Sequence, residues 1–242
     1  MTIQAIFFSI DKAPPLAAES VITYWVGGQH MRSRSFDFRA PVAATLIGLC
    51  AATAASGNEL VCGSLNSAFG PFDFRTISDY DKDLVERAHF TLEVESLLRG
   101  SSGALGQDLT YTLRAIPNHP RALLAISKLS LRTKDPKPHK AGLSIDCFFE
   151  RGMRFQPNDP FPPVLYALHK IRAGRASEAP ILLDRAAELA NDDMNLHYNI
   201  GLGYAELRDW TKAKKHADIA YAAGFPLAGL RERLRQAGAW KD

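Results

Sequence analysis

The stretch NLHYNIGLGYAELRDWTKAKKHADIAYAAGFP, residues 195–226, decides the fold of this 242-residue chain. Apolar and small residues recur along it at helical spacing, and residues 208–210 interrupt the pattern as a turn would. Gly201, Ala213 and Ala220 have side chains small enough for two helix backbones to approach closely. The stretch therefore predicts two packed helices joined by a short turn.

A second copy of this pattern precedes the first. Residues 160–193 and 194–227 align without a gap, so that the period is the 34 residues between positions 160 and 194. Three pairs of small residues coincide in this alignment: Ala167 with Gly201, Ala179 with Ala213, and Ala186 with Ala220. A repeat of this length predicts stacked helical hairpins rather than one irregular bundle.

The repeated unit resembles the tetratricopeptide repeat (TPR) family. The residues at or beside the signature positions of that family are Asn199, Ile200, Gly201, Tyr204, Asp209, Trp210, Ala213, Ala220 and Pro226. The resemblance implies an all-α solenoid of three to four hairpins over residues 84–242, ending in a C-terminal capping helix. The unit at 160–193 departs from the family at Lys170 and Pro180, although a proline early in a helix is tolerated.

The rest of the chain divides around these repeats. An earlier unit near 120–159 contains two predicted helices, with a polar, proline-bearing insertion between them. A degenerate hairpin is predicted upstream, from helices at 84–99 and 107–116. Residues 58–83 form an irregular N-terminal segment, and its first part also resembles the mature start of a group of exported bacterial TPR proteins.

Residues 31–57 have the three parts of a secretory signal peptide. A basic head with three arginines follows Met31, residues 42–55 are small, apolar and uncharged, and residues 52–54 give an A-x-A cleavage pattern. We therefore expect translation to begin at Met31, residues 1–30 to be a non-native extension, and the protein to be periplasmic or secreted. The alternative is an alanine-rich core helix.

Export would determine the chemistry of the cysteines. Cys50 would leave with the signal peptide, and Cys62 and Cys147 would remain in an oxidising compartment, where an even pair predicts a disulfide. This bridge would pin the N-terminal segment to the helical body. The alternative is two unrelated buried thiols.

The remaining sequence features argue against several classes of function. A net charge of +3 without runs does not favour nucleic acid, and no apolar stretch reaches the roughly 20 residues of a membrane span. No nucleotide-binding, hydrolase or metal-ligand motif is present, so no catalytic residue, cofactor or metal is predicted. Gly100–Gly106 is interpreted as a turn, the acidic residues of the predicted helix 84–99 as solvated ion pairs, and His169 with His197 as a satisfied polar layer.

The TPR resemblance implies a concave partner-binding groove on the first helix of each hairpin. Its predicted lining is Arg121, Leu124, Lys128, Arg132, Leu168, Arg172, Tyr198, Leu202 and Glu206. Apolar patches beside basic groups suit a peptide with apolar anchors and a carboxylate. We therefore expect a non-catalytic scaffold for a protein or peptide partner. The alternatives are a groove covered by the N-terminal segment or the capping helix, a self-associating structural subunit, and an enzyme with an unrecognised site.

Overall fold

A computed structural model describes residues 62–241, and these residues form helices and loops without a β-strand. The predicted all-α class is therefore confirmed for this part of the chain. The predicted signal peptide, the extension before it and Cys50 lie outside the described residues. The helices, in chain order, are α1 (Asp79–His89), α2 (Leu92–Glu95), α3 (Leu105–Ala115), α4 (Pro120–Thr133), α5 (Ile145–Phe155), α6 (Phe161–Arg172), α7 (Ala179–Leu189), α8 (Met194–Glu206), α9 (Trp210–Ala222) and α10 (Gly229–Gln236).

Helices α8 and α9 form the hairpin that the opening stretch predicts, and they pack against each other along their length. The carboxylate of Asp193 accepts hydrogen bonds from the first N–H groups of α8, and Asp209 does the same for α9 through the N–H of Lys212. These caps satisfy N–H groups that have no partner within the helix. Arg208, in the turn between the helices, has a left-handed backbone with φ of 60°.

Helices α6 and α7 make the preceding hairpin, joined by a short 3₁₀ turn at Ala176–Glu178. Pro180 lies in the first turn of α7, where its missing N–H would have no acceptor in the helix. The proline in the unit at 160–193 therefore costs α7 no hydrogen bond within the helix.

The coinciding small residues lie where the helices meet. Ala167, Ala179, Ala186, Ala213 and Ala220 have no exposed surface. A Cβ added at Gly201 would lie 2.5 Å from Cδ2 of Leu230 and 3.3 Å from the carbonyl oxygen of Ala213. Close approach of the backbones, as predicted, is the physical reason for small residues at these positions.

The first part of the fold differs from its prediction. A single helix was expected over 84–99, but α1 ends at His89 and a separate turn, α2, follows. The chain turns there because the Phe90 side chain enters the core, where it is 3% exposed. Burial of an aromatic ring outweighs the few hydrogen bonds that a continuous helix would add.

The N-terminal segment was expected to be irregular over 58–83, but α1 begins at Asp79, so its described part is the loop at residues 62–78, which packs on the helices. Four of its apolar side chains cover a small cluster formed by Val85, Ala115 and Ile116. The Asn118 side chain donates 2.7 Å hydrogen bonds to Asp73 of the segment and to Asp159 before α6. Burial raises the pKa of Asp159, which is 2% exposed. A buried polar network therefore joins the segment to two connections of the helical body.

Candidate functional site

The three helices that carry the predicted groove lie next to one another. Helix α4 packs on α6, and α6 packs on α8. We call the surface formed by the predicted groove residues on these helices the groove face. Contact between successive first helices is necessary for a continuous partner-binding surface, and the described structure meets that condition.

Arg121 is held at one end of the groove face by Glu95 of α2. Its Nε donates to a carboxylate oxygen of Glu95 at 2.7 Å, a second guanidinium nitrogen bonds the other oxygen, and the guanidinium lies 5.4 Å from the centre of the Phe90 ring. The hydrogen bond to Glu95 raises the pKa of Arg121. The sequence predicted solvated ion pairs for the acidic residues of 84–99, but it did not identify Arg121 as the partner of Glu95, because that contact spans two elements.

Lys128 and Arg172 form the basic centre of the groove face. Lys128 is half-buried, and its ammonium has no hydrogen bond or ion pair within residues 62–241. Burial lowers the pKa of Lys128, and the charge of Arg172 acts in the same direction, while Glu95 opposes them. Arg172 is exposed. Two like charges that influence each other, one of them partly desolvated, favour an incoming anion.

The apolar part of the groove face is only partly accessible. Leu124 and Leu202 are half-buried against the core, whereas Leu168 is 8% exposed and belongs to the core itself. Leu168 therefore supports the surface from below rather than contacting a partner directly.

Arg132 is exposed, and its guanidinium donates to the carbonyl oxygen of Leu97 at 3.0 Å.

Two predicted groove residues are occupied by the C-terminal region of the chain. Tyr198 is 4% exposed and its ring stacks on Phe225 with 4.2 Å between ring centres. Arg233 of α10 donates to a carboxylate oxygen of Glu206 at 2.5 Å. The alternative that the capping helix covers part of the groove thus describes this end of the surface. The accessible part of the groove face therefore consists of its residues on α4 and α6, together with Leu202 of α8.

The predicted cysteine pair is brought together. The sulfur atoms of Cys62 and Cys147 lie 2.15 Å apart, within bonding distance. Beside them, the buried Arg151 donates through one nitrogen to the carbonyl oxygens of Cys62 and Ser64, and Arg154 donates to that of Gly63 at 2.6 Å. Helix α5 therefore anchors the start of the N-terminal segment through a cysteine pair and two arginines.

The two histidines expected to approach each other have separate partners. His169 Nδ1 lies 2.9 Å from Oγ of Ser127, and His197 faces His216. Burial lowers the pKa of His169 to about 4, so this imidazole is neutral at pH 7. Both histidines are satisfied in the core, as their polar role predicts, but the contact between them is not formed.

The described residues 62–241 contain no helix long and apolar enough to cross a membrane, and no cluster of three or more histidine, cysteine or acidic side chains suited to a metal ion. No protein family, curated protein or solved structure matches the chain.

Proposed function

We propose that this chain is an exported, non-catalytic TPR-like scaffold that binds a peptide or protein partner through the groove face. The observation that supports this proposal is that two basic side chains, Lys128 and Arg172, lie on the groove face beside partly exposed apolar side chains. The proposal that the protein is exported rests on the predicted signal peptide. The proposal that it is TPR-like rests on the 34-residue period and on the small residues buried at matching positions.

The charges of the groove face indicate the chemistry of the partner. Arg121 is neutralised by Glu95, whereas Lys128, whose pKa the charge of Arg172 helps to lower, forms no hydrogen bond or ion pair within residues 62–241. A carboxylate at the end of a peptide would form charge-assisted hydrogen bonds to both groups, and this attraction would offset the cost of desolvating the charges. Leu124 and Leu202 would contact apolar side chains of the same peptide. The expected partner is a peptide with a free or side-chain carboxylate next to apolar residues.

A comparison of charge-reversal variants tests this function. The purified protein and its Lys128→Glu/Arg172→Glu variant would be used to capture proteins from a periplasmic extract, with bound proteins quantified by mass spectrometry. We expect a partner that the unaltered protein retains and the variant does not. The decisive second measurement is affinity for synthetic peptides of that partner with a free carboxylate or an amide end, where the amide should bind about tenfold more weakly.

The matched control is Lys215→Glu/Lys241→Glu, which makes the same change in net charge at two exposed positions outside the groove face. This variant should retain the partner. Equal capture by all three proteins would show that the groove face does not bind it. Melting temperatures of the variants would distinguish lost binding from lost folding.

A structural subunit would stack solenoid ends through Trp240 and the C-terminal helix, and the surroundings of Trp240 give this alternative less support. Trp240 is half-buried, and its ring packs edge-on against Tyr221 with 5.7 Å between ring centres. Lys214 and Arg231 also lie over this ring. A tryptophan engaged within its own chain offers little surface for end-to-end stacking. Sedimentation that remained monomeric at rising concentration would exclude the subunit role.

A further inference from the structure

A cavity of about 370 Å³ lies where the two segments outside the repeat pattern meet. Residues 67–69 of the N-terminal segment form one wall, and residues 140–142 of the proline-bearing insertion form another. Helix α3 lies between them. None of the residues that line this cavity belongs to the groove face, so the cavity is a separate feature of the molecule.

Both walls are fastened to α3. A Cβ at Gly106 would lie 2.2 Å from the carbonyl oxygen of His139, so only glycine allows the insertion to come this close. The Thr110 hydroxyl donates to the carbonyl oxygen of Ala141 at 2.5 Å. At the far end of α3, the N–H of Phe72 donates to the carbonyl oxygen of Ala115 at 2.8 Å. The cavity is thus preformed rather than an accidental gap between loose loops.

A buried carboxylate orients an imidazole at the cavity. Asp108 is 1% exposed and accepts backbone hydrogen bonds from the glycine-rich turn, including one of 2.8 Å from Ser101. The same carboxylate lies 3.0 Å from Nδ1 of His89. Because an ionised carboxylate only accepts, Nδ1 carries the hydrogen, and Nε2 is the ring nitrogen without a partner among the described residues.

An aromatic surface adjoins this imidazole. The His89 ring stacks on Tyr111 with 3.8 Å between ring centres, and the Tyr111 side chain lines the cavity while remaining 43% exposed. Phe69 of the N-terminal segment contributes a further ring to the lining. Stacked and neighbouring rings present flat apolar surface, which favours a planar group in a ligand.

The charge of the lining is positive on balance. Arg114 and Lys140 are exposed, line the cavity, and have no hydrogen bond or ion pair within residues 62–241. Asp108 is the single carboxylate of the lining, and backbone N–H groups and His89 already compensate its charge. Two cations without acidic partners at a preformed cavity favour an anionic ligand.

We propose that this cavity binds a small aromatic carboxylate. The carboxylate pairs with Arg114 and Lys140, the ring lies against the aromatic surface of Tyr111 and Phe69, and His89 Nε2 contacts a polar group of the ligand. The site needs no metal or covalent chemistry, and it adds a ligand-binding function to the chain whether or not the groove face binds a partner.

Titration calorimetry with three probes tests the proposal on the purified protein: benzoate, benzamide, which lacks the charge, and cyclohexanecarboxylate, which lacks the planar ring. Benzoate should bind saturably with a Kd below about 10 mM. Each of the other two probes should bind about tenfold more weakly or not at all. Backbone amide NMR signals of residues 101–103 and Tyr111 should shift with benzoate alone. Equal binding of all three probes, or no saturable binding of benzoate, would overturn the proposal.

Variants of exposed residues identify the site without endangering the fold. Arg114→Gln/Lys140→Gln should weaken benzoate binding by about tenfold or more, because both charge-assisted contacts are lost. Tyr111→Leu should weaken it by a smaller factor and remove the preference for a planar ring. Lys215→Gln/Lys241→Gln, the matched control at two exposed positions outside the cavity, should bind as the unaltered protein does. Benzoate binding unchanged in the double variant would place the anion elsewhere and contradict the proposal.

Discussion

Nδ1 of His197 lies 2.8 Å from Nδ1 of His216, so two buried imidazoles share one hydrogen bond between α8 and α9. His197 Nε2 is 2.6 Å from the carbonyl oxygen of Asn191 and therefore carries a hydrogen. In the neutral pair, His216 then donates from Nδ1 to the unprotonated Nδ1 of His197. Protonating both rings would replace this hydrogen bond by two opposed N–H groups.

This pair makes stability depend on pH. Burial, together with the charge of His197, lowers the pKa of His216 from 6.5 to about 4. Between these values the unfolded chain binds a proton that the folded chain does not, so the free energy of unfolding falls as pH is lowered from 6.5. We expect a loss of up to about 3 kcal/mol by pH 4 from this group, measured by urea unfolding at several pH values.

Two variants isolate that contribution. His216→Gln should reduce the slope of unfolding free energy against pH between pH 4 and 6.5. His139→Gln changes an exposed histidine and should leave the slope as it is. A slope that His216→Gln does not alter would contradict the assignment.

The cysteine pair gives a second prediction. A bond between Cys62 and Cys147 closes a loop with a sequence separation of 85 residues. Reduction should lower the free energy of unfolding by about 2–4 kcal/mol, because the unfolded chain regains conformational freedom. The Cys62→Ala/Cys147→Ala variant should match the reduced protein and should not respond to a reducing agent. A free-thiol assay that finds both sulfhydryls in the oxidised protein would contradict bond formation.

Glycine substitutions should separate two kinds of close approach. Gly106→Ala would place a Cβ against the backbone oxygen of His139, so we expect a loss of about 1–3 kcal/mol. Gly201→Ala would meet first the end of the Leu230 side chain, which can move, and alanine favours a helix by about 1 kcal/mol. Chemical denaturation should therefore rank Gly106→Ala as the more destabilising. The reverse order would contradict the packing at α3.

The buried carboxylate of Asp108 gives a fourth prediction. Asp108→Asn exchanges an ionised acceptor of several N–H groups for a neutral amide, so the free energy of unfolding should fall by about 2 kcal/mol. Asp83→Asn is the control, because Asp83 forms an exposed ion pair with Arg87 and should change stability by less than about 1 kcal/mol. Equal effects of the two substitutions, measured by thermal unfolding, would argue against a role for Asp108 in holding the turn.

The repeated part of the fold could be predicted from sequence because its constraints are local and periodic. Gly201 and Ala213 mark where backbones meet, and helices α8 and α9 follow from their spacing. The break after His89 was not predicted, because the burial of Phe90 depends on helices distant in sequence. Local patterns report what a helix requires, not which other element covers it.

The same difference applies to the sites. The TPR resemblance predicted that Lys128 and Arg172 lie on successive first helices, and these helices, α4 and α6, pack against each other. The covering of Tyr198 by Phe225 could not, because it depends on how the chain folds back after the last repeat. His89 and Asp108 meet across a non-repeating turn, and no spacing rule predicts that contact.

Few alternative pairings compete with the disulfide between Cys62 and Cys147. A chain that lacks residues 1–57 has these two cysteines and no third one to compete, so no incorrect intramolecular pairing is available to it. Such a chain would need an oxidant to complete its maturation, but no isomerase to correct it.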